Sequence, residues 1–228
     1  IEVSKKPEYL LIVDPIDGST NLKKRIEGSA FSIAGLKYKK DKNFNANDVQ
    51  FALIGSLMTG SVVMGIKGKG VYYKGIFSKY EKIMVSGSKN IDLSKACLEI
   101  DLDFGLNEAG GIDQNGAKGI NKVLPLLYPE RKFKHLRRIG SASLELMNVC
   151  MGDLGEISGV DAYIDARNIS TPENWIGAKM LIEEGGGKFT DLDGKDITNV
   201  NNMTTPFSYI AAGNHILHKK ILDSLKLR

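Results

Sequence analysis

The chain has 228 residues, a formal net charge of +4 and a charged fraction of 25%. A chain of this length can bury a substantial core, as one large domain or as two small ones that share an interface. No apolar run approaches the roughly 20 residues that cross a bilayer, and the basic residues are scattered apart from two short clusters. The composition therefore argues against a membrane span and against nucleic-acid binding.

The first half of the sequence is rich in strand signals. Short runs of β-prone residues alternate with glycines and polar turns, which is typical of antiparallel strands joined by hairpins. We expect one sheet, built from residues 9–13, 30–36, 50–58, 61–66 and 70–75.

From about residue 112 the apolar residues recur at spacings of three and four, which predicts helices alternating with strands. The third helix should end at a triple glycine and be followed by a strand and turn over 188–197. The helices are predicted at residues 111–130, 140–152, 174–187 and 215–227. The expected fold class is thus α/β of the α+β type, with an N-terminal half over 1–95 and a C-terminal half over 96–228.

The two cysteines and three histidines show no spacing typical of a catalytic or metal site. Cys97 and Cys150 lie far apart in apolar surroundings, which favours free thiols in a reducing compartment and hence a cytoplasmic protein. His135, His215 and His218 are predicted to be surface residues without a catalytic role.

Residues 10–21, LLIVDPIDGSTN, form the most informative stretch. A strand that ends in Asp14 and Asp17 places two carboxylates at the carboxyl edge of a sheet, where α/β proteins bind ligands. Two nearby carboxylates repel each other unless a cation joins them, and Mg²⁺ prefers oxygen ligands. The glycine, hydroxyl and amide residues that follow predict a turn into a helix whose free amides favour phosphate.

A structural interpretation of the same stretch is equally open at this point. Asp14 and Asp17 could cap a turn, and Ser19 or Thr20 could cap a helix, because short polar side chains bond readily to nearby main-chain amides.

Several motifs, in order along the chain, resemble those of the inositol monophosphatase family, whose superfamily includes fructose-1,6-bisphosphatase. DPIDGSTN resembles the family signature DPIDGTTN, and the other segments are similar to family motifs. These segments are 14–21, 68–75, 137–146, 160–168 and 175–191. The resemblance implies a layered αβαβα sugar-phosphatase fold with its active site between the two halves, and it implies a homodimer.

The resemblance also implies a metal site and catalytic residues. Asp14 would bridge two Mg²⁺ ions, the carbonyl of Ile16 would ligate the first ion, and Asp17 would ligate the second. Ser19 stands where the family usually has threonine, and its hydroxyl would help to orient the attacking water. The predicted catalytic residues are therefore Asp17 and Ser19.

A further set of residues is implied to bind the substrate: the amides of the glycine turn would hold the phosphate, and the other members would contact the rest of the molecule. The set is Gly18, Ser19, Thr20, Gly140, Ser141, Ala142, Asp165 and Arg167. Other interpretations stay open. Ser141 could cap a helix, Asp165 could be a turn residue at a strand end, and Arg167 could bind a second phosphate or pair on the surface.

The sequence departs from the family pattern at one metal ligand. Ten residues before Glu184 the family has an aspartate that binds the second metal, whereas this chain has Asn174. An amide oxygen can ligate but carries no charge, so the second site should be weaker for Mg²⁺. The neighbouring Glu173 could substitute through a small backbone shift.

A second departure concerns the first metal ligand, a glutamate that family members carry about a dozen or more residues before the DPID motif. Glu2 lies slightly too close to Asp14 for that role. The chain begins with isoleucine in the middle of an expected sheet, so we expect roughly 60 to 80 further residues in front of it.

The predicted function is a Mg²⁺-dependent phosphomonoesterase acting on a small phosphorylated polyol or sugar, either inositol 1-phosphate or fructose 1,6-bisphosphate or both. One alternative is a 3'-phosphoadenosine nucleotide phosphatase, although no aromatic group for stacking adenine is evident. The other, motivated by Asn174, is a catalytically impaired phosphatase-like protein that binds a ligand without turnover.

Overall fold

The computed structural model describes residues 6–41, 44–75, 81–83, 88–102, 114–128, 130–152, 159–200 and 202–226. The strands in these ranges are β1 (Tyr9–Asp17), β2 (Ala30–Lys37), β3 (Val49–Ser56), β4 (Val62–Ile66), β5 (Gly70–Lys74), β6 (Glu81–Ile83), β7 (Cys97–Asp101), β8 (His135–Arg137), β9 (Ala162–Ser170), β10 (Lys188–Asp191) and β11 (Phe207–Ala212). The α-helices are α1 (Ser19–Lys24), α2 (Gln114–Leu127), α3 (Ala142–Met151), α4 (Pro172–Glu184) and α5 (His215–Leu225). Short 3-10 helices cover Ala46–Asp48 and Leu93–Lys95.

The N-terminal sheet is an antiparallel meander in which every strand pairs with its neighbour in sequence, β1 through β6. This confirms the sheet expected from the hairpin pattern. Helix α4 lies on β2 and β3, and small side chains allow the close approach. A Cβ added at Gly177 would lie 3.3 Å from the Cβ of Ala52 and 3.5 Å from that of Ala34.

The C-terminal sheet is mixed and has the strand order β10-β11-β9-β7-β8. Strand β7 runs parallel to β8 and β9, whereas β11 is antiparallel to β9 and β10. Helices α3 and α4 contact both sheets, and α2 and α5 pack on the opposite side of the C-terminal sheet. The described residues thus form four layers, sheet, helices, sheet and helices, and the α/β prediction is confirmed.

Two sequence-based expectations need adjustment. The helix expected over 111–130 is observed as α2, and residues 111–113 and 129 lie outside the described residues. The surface prediction for His218 is wrong: this residue is buried on the inner face of α5, where its Nε2 and the Thr190 hydroxyl are 2.9 Å apart. Burial lowers the pKa of His218 to about 4. None of the described helices is long and apolar enough to cross a membrane.

Candidate active site

A β-bulge brings the two motif aspartates to the same side of β1. Asp14 pairs with Ser32 and Asp17 pairs with Ala30, so β1 carries one residue more than β2 between these pairs. In a regular strand, residues three apart point to opposite faces. The extra residue in the bulge reverses that alternation, and Pro15 is tolerated there because a bulge interrupts the ladder.

The environment of Asp14 reflects this crowding. Burial raises the pKa of Asp14, and the negative charges of Asp17 and Glu173 raise it further. Two hydrogen bonds act in the opposite direction, from the main-chain N–H of Ile16 at 3.0 Å and from the Asn174 amide at 2.8 Å. The bond from Ile16 is the turn cap that the structural interpretation expected. It coexists with a cluster of acidic side chains that would attract a cation.

The turn after Asp17 requires glycine. Gly18 is the N-cap of α1 with φ +80°, and a Cβ at this position would lie 2.7 Å from the carbonyl oxygen of Gly28 and 3.0 Å from the Cβ of Ser141. Ser19 and Thr20 are therefore the exposed first residues of α1 and do not cap it. The interpretation in which one of them caps the helix is wrong.

We expect Gly18→Ala to destabilise the protein by about 1–3 kcal/mol. Alanine is strained at a positive φ, and its Cβ would also clash with the chain segments at Gly28 and Ser141. The measurement is urea unfolding. Gly68→Ala is the matched control, since Gly68 has φ +76° but open space around it. Equal losses in the two variants would show that backbone strain alone accounts for the effect.

Asn21 joins the turn to two other loops. Its side-chain Nδ2 donates to the carbonyl oxygens of Gly28 and Ile139, both at 2.8 Å. The sequence pattern predicts Asn21 in the turn but indicates no role for it. An amide suits the position because it supplies two donors on one planar group.

The N-terminus of α3 lies against Asp17. Ser141 is its N-cap residue, and its hydroxyl donates to Asp17 Oδ2 at 3.0 Å instead of capping its own helix. The main-chain N–H of Ser143 donates to the same oxygen at 2.5 Å. The Asp17 carboxylate thus takes the place of the cap, where the helix dipole favours negative charge. Ser143 is not among the residues predicted from the sequence, although it belongs to the same Gly-Ser-Ala-Ser run.

Asn174 lies beside Asp14 but turns its nitrogen towards it. Its Oδ1 accepts a hydrogen bond from the main-chain N–H of Thr171 at 3.3 Å, and this leaves Nδ2 to donate to Asp14 Oδ2 at 2.8 Å. The adjacent Glu173 accepts from the Thr171 hydroxyl through Oε1 at 2.6 Å. Its Oε2 is buried and has no hydrogen-bond partner among the described residues.

Asp165 and Arg167 form an ion-pair cluster below the surface. Arg167 Nε and Nη2 donate to the two oxygens of Asp165 at 3.0 and 2.7 Å, and Nη2 also lies 2.7 Å from Asp101 Oδ2. Asp165 is fully buried and the Arg167 side chain is 11% exposed. Arg167 therefore pairs inside the protein and not on the surface. The role of either residue in substrate binding remains a prediction.

The donor set at the end of β1 suits a divalent cation because it consists of oxygens: the carboxylates of Asp14 and Asp17 and the main-chain carbonyl of Ile16. Within the described ranges, no three Asp, Glu, His or Cys side chains converge to hold a metal ion. The set is thus incomplete there, since Asn174 presents a nitrogen and the glutamate expected to ligate the first metal is not among the described residues.

The layered fold, the bulged strand with two aspartates and the glycine turn agree with the sugar-phosphatase fold that the motif resemblance implies. A family model, the inositol monophosphatase family, matches residues 2–227. The chain belongs to this family.

Individual relatives agree with this assignment. The chain is 26% identical over 223 residues to fructose-1,6-bisphosphatase/inositol-1-monophosphatase of Methanothermobacter thermautotrophicus, covering 97% of this chain and 69% of that protein. It is 28% identical over 225 residues to bifunctional NADP phosphatase/NAD kinase of Methanococcus maripaludis, covering 95% of this chain but 35% of that protein. The chain therefore spans about a third of the latter's length.

A solved structure from Pyrococcus horikoshii, described as similar to inositol-1 monophosphatase, superposes with a TM-score of 0.70. Its sequence is 27% identical, and the match covers 97% of this chain and 72% of that one.

Proposed function

We propose that this protein is a Mg²⁺-dependent phosphomonoesterase that hydrolyses inositol 1-phosphate, fructose 1,6-bisphosphate or both. The observation that carries the proposal is the β-bulge, which directs Asp14 and Asp17 to one side of β1 next to the Gly18 turn. Family membership and the names of the relatives support the reaction class.

Each residue has a defined task in this proposal. Asp14, Asp17 and the carbonyl of Ile16 would hold the metal, with Asn174 as a weaker member of the second site. When bound, Mg²⁺ lowers the pKa of a water nucleophile and stabilises the leaving oxygen. The exposed hydroxyl of Ser19 would orient that water.

The substrate would be held from two directions. The free main-chain amides of Gly18, Ser19 and Thr20 at the start of α1 are suited to a phosphate. The segment Gly140–Ala142 lies next to them, because Ser141 contacts Asp17. It would contact the hydroxyls of the polyol. Arg167, the partly exposed member of its ion pair, would bind the far end of the substrate, while the buried Asp165, predicted to contact a substrate hydroxyl, would instead hold the Arg167 guanidinium.

A second candidate substrate is NADP, which carries a phosphate on a ribose hydroxyl. The specific support is the 28% identity to an enzyme named as an NADP phosphatase/NAD kinase. Assays should therefore compare phosphate release from inositol 1-phosphate, fructose 1,6-bisphosphate, NADP and 3'-phosphoadenosine 5'-phosphate across a Mg²⁺ series.

We expect Asp14→Asn to lower kcat/KM by about a thousandfold, because a shared carboxylate ligand contributes several kcal/mol to holding the metal. Asp223→Asn is the matched control: Asp223 forms an exposed ion pair with Lys219 on α5, and such pairs contribute little. Equal activity in Asp14→Asn and the parent would refute the metal site. Mg²⁺ binding without any turnover would favour the impaired, ligand-binding alternative.

A homodimer and a cytoplasmic location complete the proposal. The first is carried over from the family resemblance. The second is supported by the free thiols of Cys97 and Cys150, of which Cys150 is buried. Sedimentation of the purified protein would test the dimer.

A further inference from the structure

A buried glutamate supports the loop that carries Gly140 and Ser141. Glu145, in the first turn of α3, is fully buried. Its Oε1 accepts hydrogen bonds from the main-chain N–H groups of Ile139 at 2.8 Å and Gly140 at 3.2 Å. Gly140 has φ +80°, which glycine adopts without strain, so the bonds to Glu145 hold the loop in place and do not compensate for a strained backbone.

The same loop contacts the candidate site on its other side. The carbonyl of Ile139 accepts from Asn21, which belongs to the phosphate turn, and the hydroxyl of Ser141 donates to Asp17. The loop is therefore held between Glu145 and the end of β1. A change in the position of the Glu145 side chain would therefore move this loop, and with it the contacts to Asn21 and Asp17.

We propose that Glu145 is a positioning residue for the phosphatase site, which holds the Ile139–Ser141 loop in register with Asp17 and the phosphate turn. This inference rests on the proposed function. Without the carboxyl group, whose Oε1 accepts in either protonation state, two main-chain N–H groups lose their acceptor, and the loop can move to find others. Errors of about 1 Å in the placement of groups at a reacting centre can cost about a hundredfold in rate.

Glu99 provides a matched comparison, because it is a second buried glutamate whose charge interacts with that of Glu145. It is 1% exposed, and its Oε2, like that of Glu145, is buried with no hydrogen-bond partner among the described residues. Its Oε1 accepts from the Asn148 amide at 3.1 Å, on α3 and away from the loop. Both substitutions remove a buried carboxyl group, but within the described residues only Glu145 hydrogen-bonds to the loop.

The experiment compares Glu145→Leu, Glu145→Gln and Glu99→Leu in the intact protein. Hydrogen exchange of peptides spanning residues 137–142 reports the loop directly, and steady-state kinetics report its effect on catalysis. We expect Glu145→Leu to speed exchange in this segment and to lower kcat/KM by about tenfold to a hundredfold. Glu145→Gln keeps an acceptor oxygen and should retain parental exchange and at least half of the activity, as should Glu99→Leu.

Two results would overturn the inference. Unchanged exchange in Glu145→Leu would show that the carboxylate does not hold the loop. Faster exchange and equal kinetic losses in Glu145→Leu and Glu99→Leu would show that both act through general stability. If the parent hydrolyses none of the substrates, the proposed function fails, and a positioning role for that reaction fails with it. The exchange result then still shows whether Glu145 holds the loop.

Discussion

Replacing Asn174 with aspartate should lower the Mg²⁺ concentration for half-maximal turnover by about tenfold or more, because the affinity of such sites rises with the number of charged ligands. In the parent, the Asn174 amide nitrogen faces Asp14 and its oxygen bonds to Thr171. An aspartate can keep the bond to Thr171 with one oxygen and present the other to the cation. It therefore removes a donor from the site and adds a ligand.

The same substitution should reduce stability when no metal is bound. A carboxylate at position 174 would lose the 2.8 Å hydrogen bond to Asp14 and add negative charge near Asp14 and Glu173. Like charges at short range repel strongly where water is partly excluded. Thermal unfolding should show a lower Tm than the parent in chelator and a larger rise in Tm on adding Mg²⁺.

The fluorescence of Trp175, the single tryptophan, gives a readout that does not depend on turnover, because it adjoins position 174 and is buried. Asn202→Asp is the control: it makes the same change of charge in an exposed turn, where the side-chain oxygen bonds to Thr204. If Mg²⁺ shifts Tm equally in the parent and in Asn174→Asp, position 174 is not a ligand. That result would leave Glu173 as the candidate.

The sequence predicted the framework well because its signals are local. Alternation and turn residues located β1 to β5, and apolar spacing located α2 to α5 within a few residues. The motif around Asp14 and Asp17 was also legible, since a strand end, a glycine and two hydroxyls adjoin in the chain. The resemblance to family motifs predicted that segments distant in the chain, over 137–146, 160–168 and 175–191, contribute to the same site.

The sequence could not show which atoms meet. Asp14 and Asp17 share a side because β1 contains one extra residue relative to β2, and a bulge depends on the partner strand. The orientation of the Asn174 amide is set by Thr171, and the burial of Arg167 follows from its bonds to Asp101 and Asp165. These features depend on tertiary contacts, which local patterns in the sequence do not predict.

Glu99→Gln should remove the contribution of Glu99 to the pH dependence of folding stability between about pH 5 and 8, and leave that of Glu145 in place. Burial raises the pKa of Glu99 to about 8, and repulsion from Glu145 and Asp101 adds to this effect. Burial raises the pKa of Glu145 to about 8 as well. The cluster of Glu99, Asp101, Glu145 and Asp165 faces two arginines, Arg138 and Arg167, so two bound protons make it neutral.

The sign follows from proton linkage. Between the ordinary pKa of 4.5 and the raised value of about 8, the folded state holds a proton on Glu99 that the unfolded chain has released. Stability is therefore greatest below this window and falls as pH rises through it, by up to about 1.4 kcal/mol per pH unit for each such group. A glutamine cannot ionise, yet it retains an acceptor for Asn148, so this part of the slope disappears.

The measurement is urea unfolding at pH 5.5, 6.5 and 7.5. Relative to the parent, Glu99→Gln should gain about 2–3 kcal/mol in unfolding free energy from the lowest to the highest pH. Glu130→Gln, at an exposed position, should leave the slope unchanged. Parallel curves for the parent and Glu99→Gln would mean that Glu99 is ionised throughout. The raised pKa of Glu99 would then be wrong, and Glu145 would remain as the candidate source of the slope.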